Sequence, residues 1–249
     1  MRFRALAADY DGTLAHGGIV APSTCEALVR LKQTGRKVVL VTGRELGDLK
    51  SVCRELEIFD RVVAENGAVV HNPADGGVRV LGEPPPPLFV ERLAERGIEP
   101  LSTGRVIVAT KEPHEAAVLD MIRDLGLELR IVFNKGAVMV LPAGISKASG
   151  LGVALEELDL AAHEVVGVGD AENDHAFMKS CGCAVAVANA LPTLKEEADL
   201  VLESSNGAGI VELIRRLIED EARLVPGRLE NPAGASNGEA SPAGPGARG

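Results

Sequence analysis

Two acidic residues follow the first apolar stretch of the chain, with one residue between them. They are Asp9 and Asp11, and Gly12 comes directly after. Alternate residues of a strand point the same way, so the two carboxylates would face one spot and repel each other unless a cation lies between them. An EF-hand calcium loop also uses this spacing, but it requires glycine and glutamate where Leu14 and Val20 stand. The pair therefore indicates a different cation site, with one acid free to act on a substrate.

Three further polar groups stand where apolar runs end or where a helix begins. In a doubly wound sheet, ligands bind beyond the carboxyl ends of the strands, so we expect these groups to meet the acid pair there. Each group alone also has a structural explanation, because turns and helix N-termini favour acidic and hydroxyl side chains. The groups are Thr42-Gly43-Arg44, Lys147, and the segment Gly167 to Asp174 that contains Asp170, Asn173 and Asp174.

The combination of acids with Lys147 predicts a metal ion beside an oxyanion. Ser146 is expected to cap a helix, which places Lys147 in the first turn, where a cation opposes the helix dipole unless an anion shares that helix end. The acids of three strand ends likewise need a cation, and oxygen ligands of this kind select a hard ion such as Mg²⁺. A phosphate group fits both conditions, because it is an anion that can lie beside Lys147 and can also bind the metal ion held by the acids.

Paired acids beside a phosphate predict ester hydrolysis. One carboxylate attacks the phosphorus and splits the reaction through an aspartyl-phosphate, while the other protonates the departing alcohol and later activates water. Mg²⁺, Lys147 and backbone amides would stabilise the charged transition state, and Thr42 would donate to a phosphoryl oxygen.

The elements that must hold these groups alternate between strands and helices. This alternation predicts an α/β fold with a doubly wound parallel sheet. The predicted strands are 37–44, 61–67, 164–170 and 183–190, and the predicted helices are 24–34, 45–57, 146–158, 172–179 and 207–222.

The middle of the chain is expected to form a separate small α/β cap domain. The proline-rich stretch 82–89 begins it, and Pro142 closes it. Predicted domains are therefore a catalytic core from 1–81 and 143–222, a cap at 82–142, and a disordered tail at 223–249. Within the cap we expect helices at 88–97 and 113–124 and strands at 105–109, 129–133 and 137–141.

Composition narrows the function classes. The net charge of −10 argues against a general nucleic-acid binder, and the apolar runs are too short to cross a membrane. The early acids leave no room for a secretory signal, so a cytoplasmic protein is expected. The four cysteines lack the spacing of a zinc site, and the sequence leaves open whether the protein is a monomer or a homodimer.

With these groups assembled, the sequence resembles the haloacid dehalogenase (HAD) superfamily of phosphohydrolases. DYDGT fits the D-x-D-G-T first motif, and GDAEND fits the G-D-x-x-N-D fourth motif; Thr42 and Lys147 fit the second and third. The resemblance implies that Asp9 is the nucleophile and Asp11 the general acid/base. It further implies phosphate ligands at Thr42, Gly43, Lys147 and Asn173, and Mg²⁺ held by Asp9, the Asp11 carbonyl and Asp170, with Asp174 in support.

The position of the insert is similar to the branch of this superfamily with α/β caps. That branch includes Cof-type sugar phosphatases, sucrose- and trehalose-phosphate phosphatases and archaeal-type phosphoglycolate phosphatases, and the small cap is closer in size to the last group. The resemblance implies a small phosphorylated metabolite as substrate. Arg44, His16, Asn134 and Lys135 are the candidates for selecting it, although Asn134-Lys135-Gly136 also fits an ordinary hairpin turn.

Three alternative functions stay open from the sequence. A phosphomutase or phosphotransferase of the same superfamily would keep every motif. A receiver domain would place its phosphorylated Asp after a later strand and would lack a cap. A phosphate-ligand sensor would have little use for two acids beside an anion.

Overall fold

The computed structural model describes residues 2–219 and residue 221. Its strands, in chain order, are β1 (Ala5–Asp9), β2 (Ala15–His16), β3 (Ile19–Val20), β4 (Lys37–Val41), β5 (Arg61–Ala64), β6 (Val69–His71), β7 (Val78–Val80), β8 (Ser102–Thr103), β9 (Val108–Lys111), β10 (Leu129–Asn134), β11 (Ala137–Pro142), β12 (Val165–Gly169), β13 (Cys183–Ala186) and β14 (Leu200–Val201).

Helices connect these strands. They are α1 (Pro22–Gln33), α2 (Leu46–Val52), α3 (Pro87–Glu95), α4 (Glu115–Asp124), α5 (Lys147–Glu157), α6 (His175–Ser180), α7 (Pro192–Glu197) and α8 (Asn206–Glu219). Short 3-10 turns lie at Leu56–Ile58, Glu65–Gly67, Ala162–Glu164 and Glu172–Asp174. Within the described part of the chain, no helix has the length and apolar character that a membrane crossing requires.

The larger sheet carries the core of the protein. Its order is β14-β13-β12-β1-β4-β5-β6-β7, and every pairing from β14 to β5 is parallel. β1 and β12 are buried along their whole length, because helices cover both faces of the sheet and small or branched apolar residues fill the layers. The predicted α/β class with a mainly parallel sheet is therefore confirmed.

The sheet continues beyond β5 in a way that the sequence prediction missed. A strand was predicted through 61–67, but β5 ends at Ala64 and the chain turns back. The turn uses left-handed backbone at Glu65 and Asn66, and β6 and β7 then add antiparallel strands at the edge. The predicted helix 45–57 is also too long, since α2 ends at Val52.

A second, smaller sheet lies in the segment predicted to form the cap. Its order is β10-β11-β9-β8 and all its pairings are antiparallel. Apolar residues of α3 and α4 pack on it, including Phe89, Leu93 and Val118. The predicted strand 105–109 is displaced, because the chain forms β8 and β9 instead. The division into domains at residues 82 and 142 stays a prediction, and the predicted tail at 223–249 lies outside the described residues.

Candidate active site

The predicted polar groups lie at the carboxyl ends of three neighbouring strands. β1 lies between β12 and β4 in the sheet, with Asp9 level with Val41 and Ala8 level with Val168. Asp9 therefore emerges beside Thr42 on one side and Asp170 on the other. This arrangement brings three of the four predicted groups together by strand order alone.

The fourth group, Lys147, reaches the same point from the start of α5. Ser146 caps this helix as predicted, since its hydroxyl accepts from the Ser149 amide and the Ser149 hydroxyl accepts from the Ser146 amide. Lys147 Nζ lies 2.6 Å from Asp9 Oδ1 and 2.6 Å from Asp174 Oδ1. All three side chains are buried. A buried ammonium thus bridges two buried carboxylates.

Burial and charge shift the protonation equilibria of this group. Burial, followed by the neighbouring Asp174, raises the pKa of Asp9 to about 8, although Lys147 opposes the shift. Burial would lower the pKa of Lys147, but Asp174 and Asp9 outweigh it and raise that pKa above its ordinary value. Burial also raises the pKa of Asp170. The carboxylates need more positive charge than Lys147 supplies.

A metal ion is the natural source of that charge. Asp9, Asp170 and Asp174 each offer a carboxylate oxygen, and these atoms lie within 4.8 Å of one another in a buried cluster. Both oxygens of Asp174 already accept from the protein: Oδ1 from Lys147, and Oδ2 from the amides of Asp170 and Ala171 at 2.9 and 3.0 Å. Asp174 therefore holds the loop in place through two main-chain amides. Among the described residues, the Asp170 carboxylate accepts only from side chains, those of Thr13 at 3.4 Å, Lys135 and Asn189, so its oxygens are more easily released to a metal ion.

Asp11 forms a two-point ion pair with Arg44. Arg44 Nε lies 2.6 Å from Asp11 Oδ2, and Nη2 lies 2.9 Å from Oδ1. Arg44 Nη1 lies 2.6 Å from Asp48 Oδ2. The guanidinium that was predicted to select the substrate is thus shared between two carboxylates of the protein.

Thr42, Gly43 and Asn173 surround the space in front of Asp9. Thr42 is buried, and its hydroxyl accepts from the Arg44 amide at 3.1 Å. Asn173 Nδ2 donates to Asn66 Oδ1 at 3.0 Å, and Asn173 Oδ1 has no partner among the described residues. A β-carbon at Gly43 would lie 3.7 Å from Asn173 Nδ2, so these two residues border the same space.

A cleft of about 460 Å³ lies between this group and the small sheet. The large sheet contributes acidic, hydroxyl and arginine side chains to its lining. The small sheet contributes mainly apolar side chains, with two polar ones, Ser102 and Asn134. The lining residues are Asp9, Asp11, Thr42, Gly43, Arg44, Glu45, Asp48, Ser102, Ile107, Ala109, Asn134, Ala137 and Met139. His16 lies exposed on β2, and its prediction stays untested.

Lys135 lies at the tip of the β10–β11 hairpin. The turn is an ordinary hairpin turn, as the alternative interpretation held, with positive φ at Lys135 and Gly136. Lys135 nevertheless reaches the site as well: its Nζ contacts the Asp170 carboxylate and lies 3.3 Å from the Asp11 carbonyl oxygen. The hairpin turn is thus as the alternative interpretation held, and the selection of substrate by Asn134 and Lys135 stays a prediction.

Glu65 is a residue of the site region that sequence reasoning missed. Its buried carboxylate accepts from the amides of Arg105, Val106 and Ile107 at 3.0, 2.8 and 3.1 Å. A β-carbon at Gly104 would lie 2.6–2.8 Å from the Glu65 carboxylate atoms, so only glycine fits there. We call this set the Glu65 latch, because it ties the turn after β5 to the loop before β9.

Asn189 was also missed. Its Nδ2 donates to the Gly12 carbonyl at 2.8 Å and lies 3.3 Å from Asp170 Oδ2. The signal was available, because Asn189 closely follows β13, another parallel strand whose carboxyl end faces the same edge of the sheet.

Known proteins with similar sequences or folds include haloacid dehalogenase-like hydrolases and phosphoglycolate phosphatases. The family of haloacid dehalogenase-like hydrolases matches this chain over residues 6–79 and 103–214. The chain is 33% identical to a phosphoglycolate phosphatase of Methanothermobacter thermautotrophicus, over 86% of this chain and 99% of the relative. It is 30% identical to phosphoglycolate phosphatase 2 of Saccharolobus solfataricus, over 86% and 91%. A haloacid dehalogenase-like hydrolase from Bacteroides thetaiotaomicron shares the fold, with a TM-score of 0.73, 21% identity and coverage of 86% and 99%.

Proposed function

The chain belongs to the haloacid dehalogenase-like hydrolases and is a phosphatase by homology, and we propose that it is a Mg²⁺-dependent phosphoglycolate phosphatase that works through an aspartyl-phosphate. The observation that carries this proposal is the buried Asp9–Lys147–Asp174 group beneath a small covered cleft. Two buried carboxylates share one ammonium in this group, and buried charges need partners, so the group favours the binding of a further cation beside the cleft.

The residues present suit Mg²⁺. The donors are carboxylate and carbonyl oxygens: the Asp9 carboxylate, the Asp11 carbonyl and the Asp170 carboxylate. Mg²⁺ binds through a few such oxygens and keeps several waters. When bound, it would supply positive charge that keeps Asp9 ionised and reduces its repulsion from the phosphate.

Asp9 is the proposed nucleophile because it lines the cleft and is fixed on one side by Lys147. Its oxygen attacks the phosphorus, and the bond from phosphorus to the leaving alkoxide breaks. The Thr42 hydroxyl, the Gly43 amide, the Asn173 side chain and Lys147 are the proposed donors to the phosphoryl oxygens.

Asp11 is the proposed general acid and base. It also lines the cleft, and it must carry a proton to protonate the leaving alkoxide. Both of its carboxylate oxygens are held by Arg44 in the structure, so we expect Arg44 to turn away when the substrate arrives. A substrate carboxylate would give the freed guanidinium a new partner.

The lining of the cleft supports a small acidic substrate. The small sheet presents Ile107, Ala109 and Met139 and offers Ser102 and Asn134 as polar contacts. A hexose would leave several hydroxyls against these apolar side chains, and unpaired polar groups lose binding energy. Phosphoglycolate has no sugar hydroxyls, and the two relatives described above are phosphoglycolate phosphatases.

The proposal is tested by phosphate release from phosphoglycolate, hexose phosphates and disaccharide phosphates, with and without Mg²⁺. We expect phosphoglycolate to give the highest kcat/KM, Mg²⁺ to be required, and Asp9→Asn to lose activity by at least about 10³-fold. Asp120→Asn, an exposed carboxylate on α4, is the matched control and should be fully active.

Each alternative has its own outcome in this assay. Loss of substrate without free phosphate would support a phosphomutase or phosphotransferase. Substrate binding without turnover, unchanged in Asp9→Asn, would support a sensor and refute the phosphatase. A preference for hexose phosphates would refute the proposed substrate but leave the mechanism intact.

A further inference from the structure

Lys135 contacts two of the three oxygen ligands that are proposed for the metal ion. Its Nζ contacts Asp170 Oδ2 and lies 3.3 Å from the Asp11 carbonyl oxygen. Lys147, by contrast, contacts Asp9 Oδ1 and Asp174 Oδ1. The two lysines therefore pair with different groups, and Lys135 is the one whose ammonium shares its oxygen partners with the proposed metal ion.

The residue opposite Lys135 leaves room for this contact. A β-carbon at Gly12 would lie 2.6 Å from Lys135 Nζ, so the absence of a side chain there lets the ammonium reach Asp170. Lys135 itself has φ +47, as its place in the hairpin turn requires, although glycine and asparagine adopt this left-handed conformation more readily than lysine.

The contact between Lys135 and Asp170 can also open, because the Lys135 side chain is partly exposed to solvent. The Lys135 side chain is 45% exposed, whereas Asp170 is 1% exposed. Asp170 is therefore fixed in the core, while Lys135 can move into solvent with its hairpin. At the same tip, the Lys135 amide contacts Glu172 Oε2 at the long distance of 3.4 Å, which adds little to the docking.

We propose that Lys135 is an internal competitor of the metal ion, which holds the hairpin tip against the metal site until Mg²⁺ displaces it. This inference rests on the metal site of the proposed function. One cation position cannot hold both an ammonium and Mg²⁺, so metal binding and hairpin docking oppose each other. By linkage, the effect is reciprocal: docking weakens metal binding by the same factor by which metal weakens docking.

Two measurements without substrate test the proposal. The first is Mg²⁺ binding by titration calorimetry to the wild type and to Lys135→Asn, since asparagine favours the left-handed turn but is too short to reach Asp170. We expect Lys135→Asn to bind Mg²⁺ at least about fivefold more tightly. Lys111→Gln removes an exposed lysine at the end of β9 in the same small sheet and should leave the affinity unchanged.

The second measurement separates displacement from a general effect of charge. The wild-type protein is labelled with an amine-acetylating reagent, with and without Mg²⁺, and each lysine is quantified by mass spectrometry. We expect Mg²⁺ to raise the labelling of Lys135 several-fold, because its amine is released from Asp170, and to leave Lys111 unchanged.

The outcomes are distinct. Equal Mg²⁺ affinities of the wild type and Lys135→Asn would overturn the proposal. Tighter binding with unchanged Lys135 labelling would overturn it too, since Lys135 would then act only through its charge. No Mg²⁺ binding by any variant would overturn the proposed metal site and the competition together. Failure to hydrolyse phosphoglycolate would affect neither measurement.

Discussion

Replacement of Glu65 by glutamine tests the polar link that Glu65 makes between the turn after β5 and the loop before β9. The Glu65 carboxylate accepts three backbone amides, from Arg105 to Oε1 and from Val106 and Ile107 to Oε2. A glutamine oxygen can keep the latter two, but its NH₂ group then faces the Arg105 amide. One of the amide donors loses its partner, and two charge-assisted bonds become neutral.

These losses set the expected magnitude. The part-buried Arg105 amide left without a partner costs about 1 kcal/mol, the low end of the range for buried donors, and each charge-assisted bond made neutral costs about 1 kcal/mol more. We therefore expect Glu65→Gln to lower the free energy of unfolding by about 2–4 kcal/mol. In a chain of this size that corresponds to a fall in Tm on the order of 10 °C.

Urea unfolding followed by far-UV circular dichroism measures the change, and amide hydrogen exchange locates it at residues 104–108. Glu91→Gln on the exposed side of α3 is the control, with an expected change of under about 0.5 kcal/mol. Gly104→Ala should cause a similar loss, because its β-carbon would collide with the Glu65 carboxylate. The two changes together should cost less than their sum. Glu65→Gln as stable as Glu91→Gln, with unchanged exchange at 104–108, would refute the role of the latch.

Two further predictions concern a glycine and the thiols. Gly12→Ala should reduce Mg²⁺ affinity and activity at least about tenfold and cost about 1–3 kcal/mol, because its φ of +90 disfavours alanine and its β-carbon would overlap the Asp170 carboxylate. Gly76→Ala is the control for backbone strain alone, since φ is +75 there and nothing lies within 4 Å; equal Mg²⁺ affinity of the two variants would contradict the prediction. Burial raises the pKa of Cys181 to about 12 and that of Cys183 to about 11, so these thiols should resist Ellman's reagent at pH 8. The unfolded thiols ionise near pH 9, so the contribution of these two thiols to stability should be constant below pH 8 and fall as the pH rises from about 9 to about 12; rapid labelling of both at pH 8 in the folded protein would contradict the assigned shifts.

The core of the fold was predictable because its signals are local. Apolar runs such as Lys37–Val41 end in polar residues, and parallel strands bring those residues to one edge of the sheet. Ser146 predicted the start of α5, because serine is a favoured N-cap residue. Three strand ends and one helix start were therefore enough to predict that these acids and Lys147 lie together.

The missed features depend on contacts between distant parts of the chain. Glu65 reads as a turn residue beside Asn66 and Gly67, and its role appears only when the loop at 104–107 folds over it. The short strands β6 and β7 carry weak patterns, and β7 is exposed along its length. Lys135 was a candidate for substrate binding, but the sequence could not show that its ammonium would meet Asp170. Tertiary packing decides all three cases.

Tyr10 gives this molecule a built-in spectroscopic reporter. The chain contains one tyrosine and no tryptophan, so a single phenol dominates its ultraviolet absorption and emission above 280 nm. The ring of Tyr10, the residue between Asp9 and Asp11 in the sequence, is buried. Its hydroxyl donates to the Gly18 carbonyl at 3.0 Å, and the Arg44 guanidinium lies 5.6 Å from the ring centroid. Any movement of Arg44 away from Asp11 also changes the electric field on the ring. Native fluorescence of the unlabelled protein should therefore respond when Arg44 leaves Asp11, in real time and without an added dye.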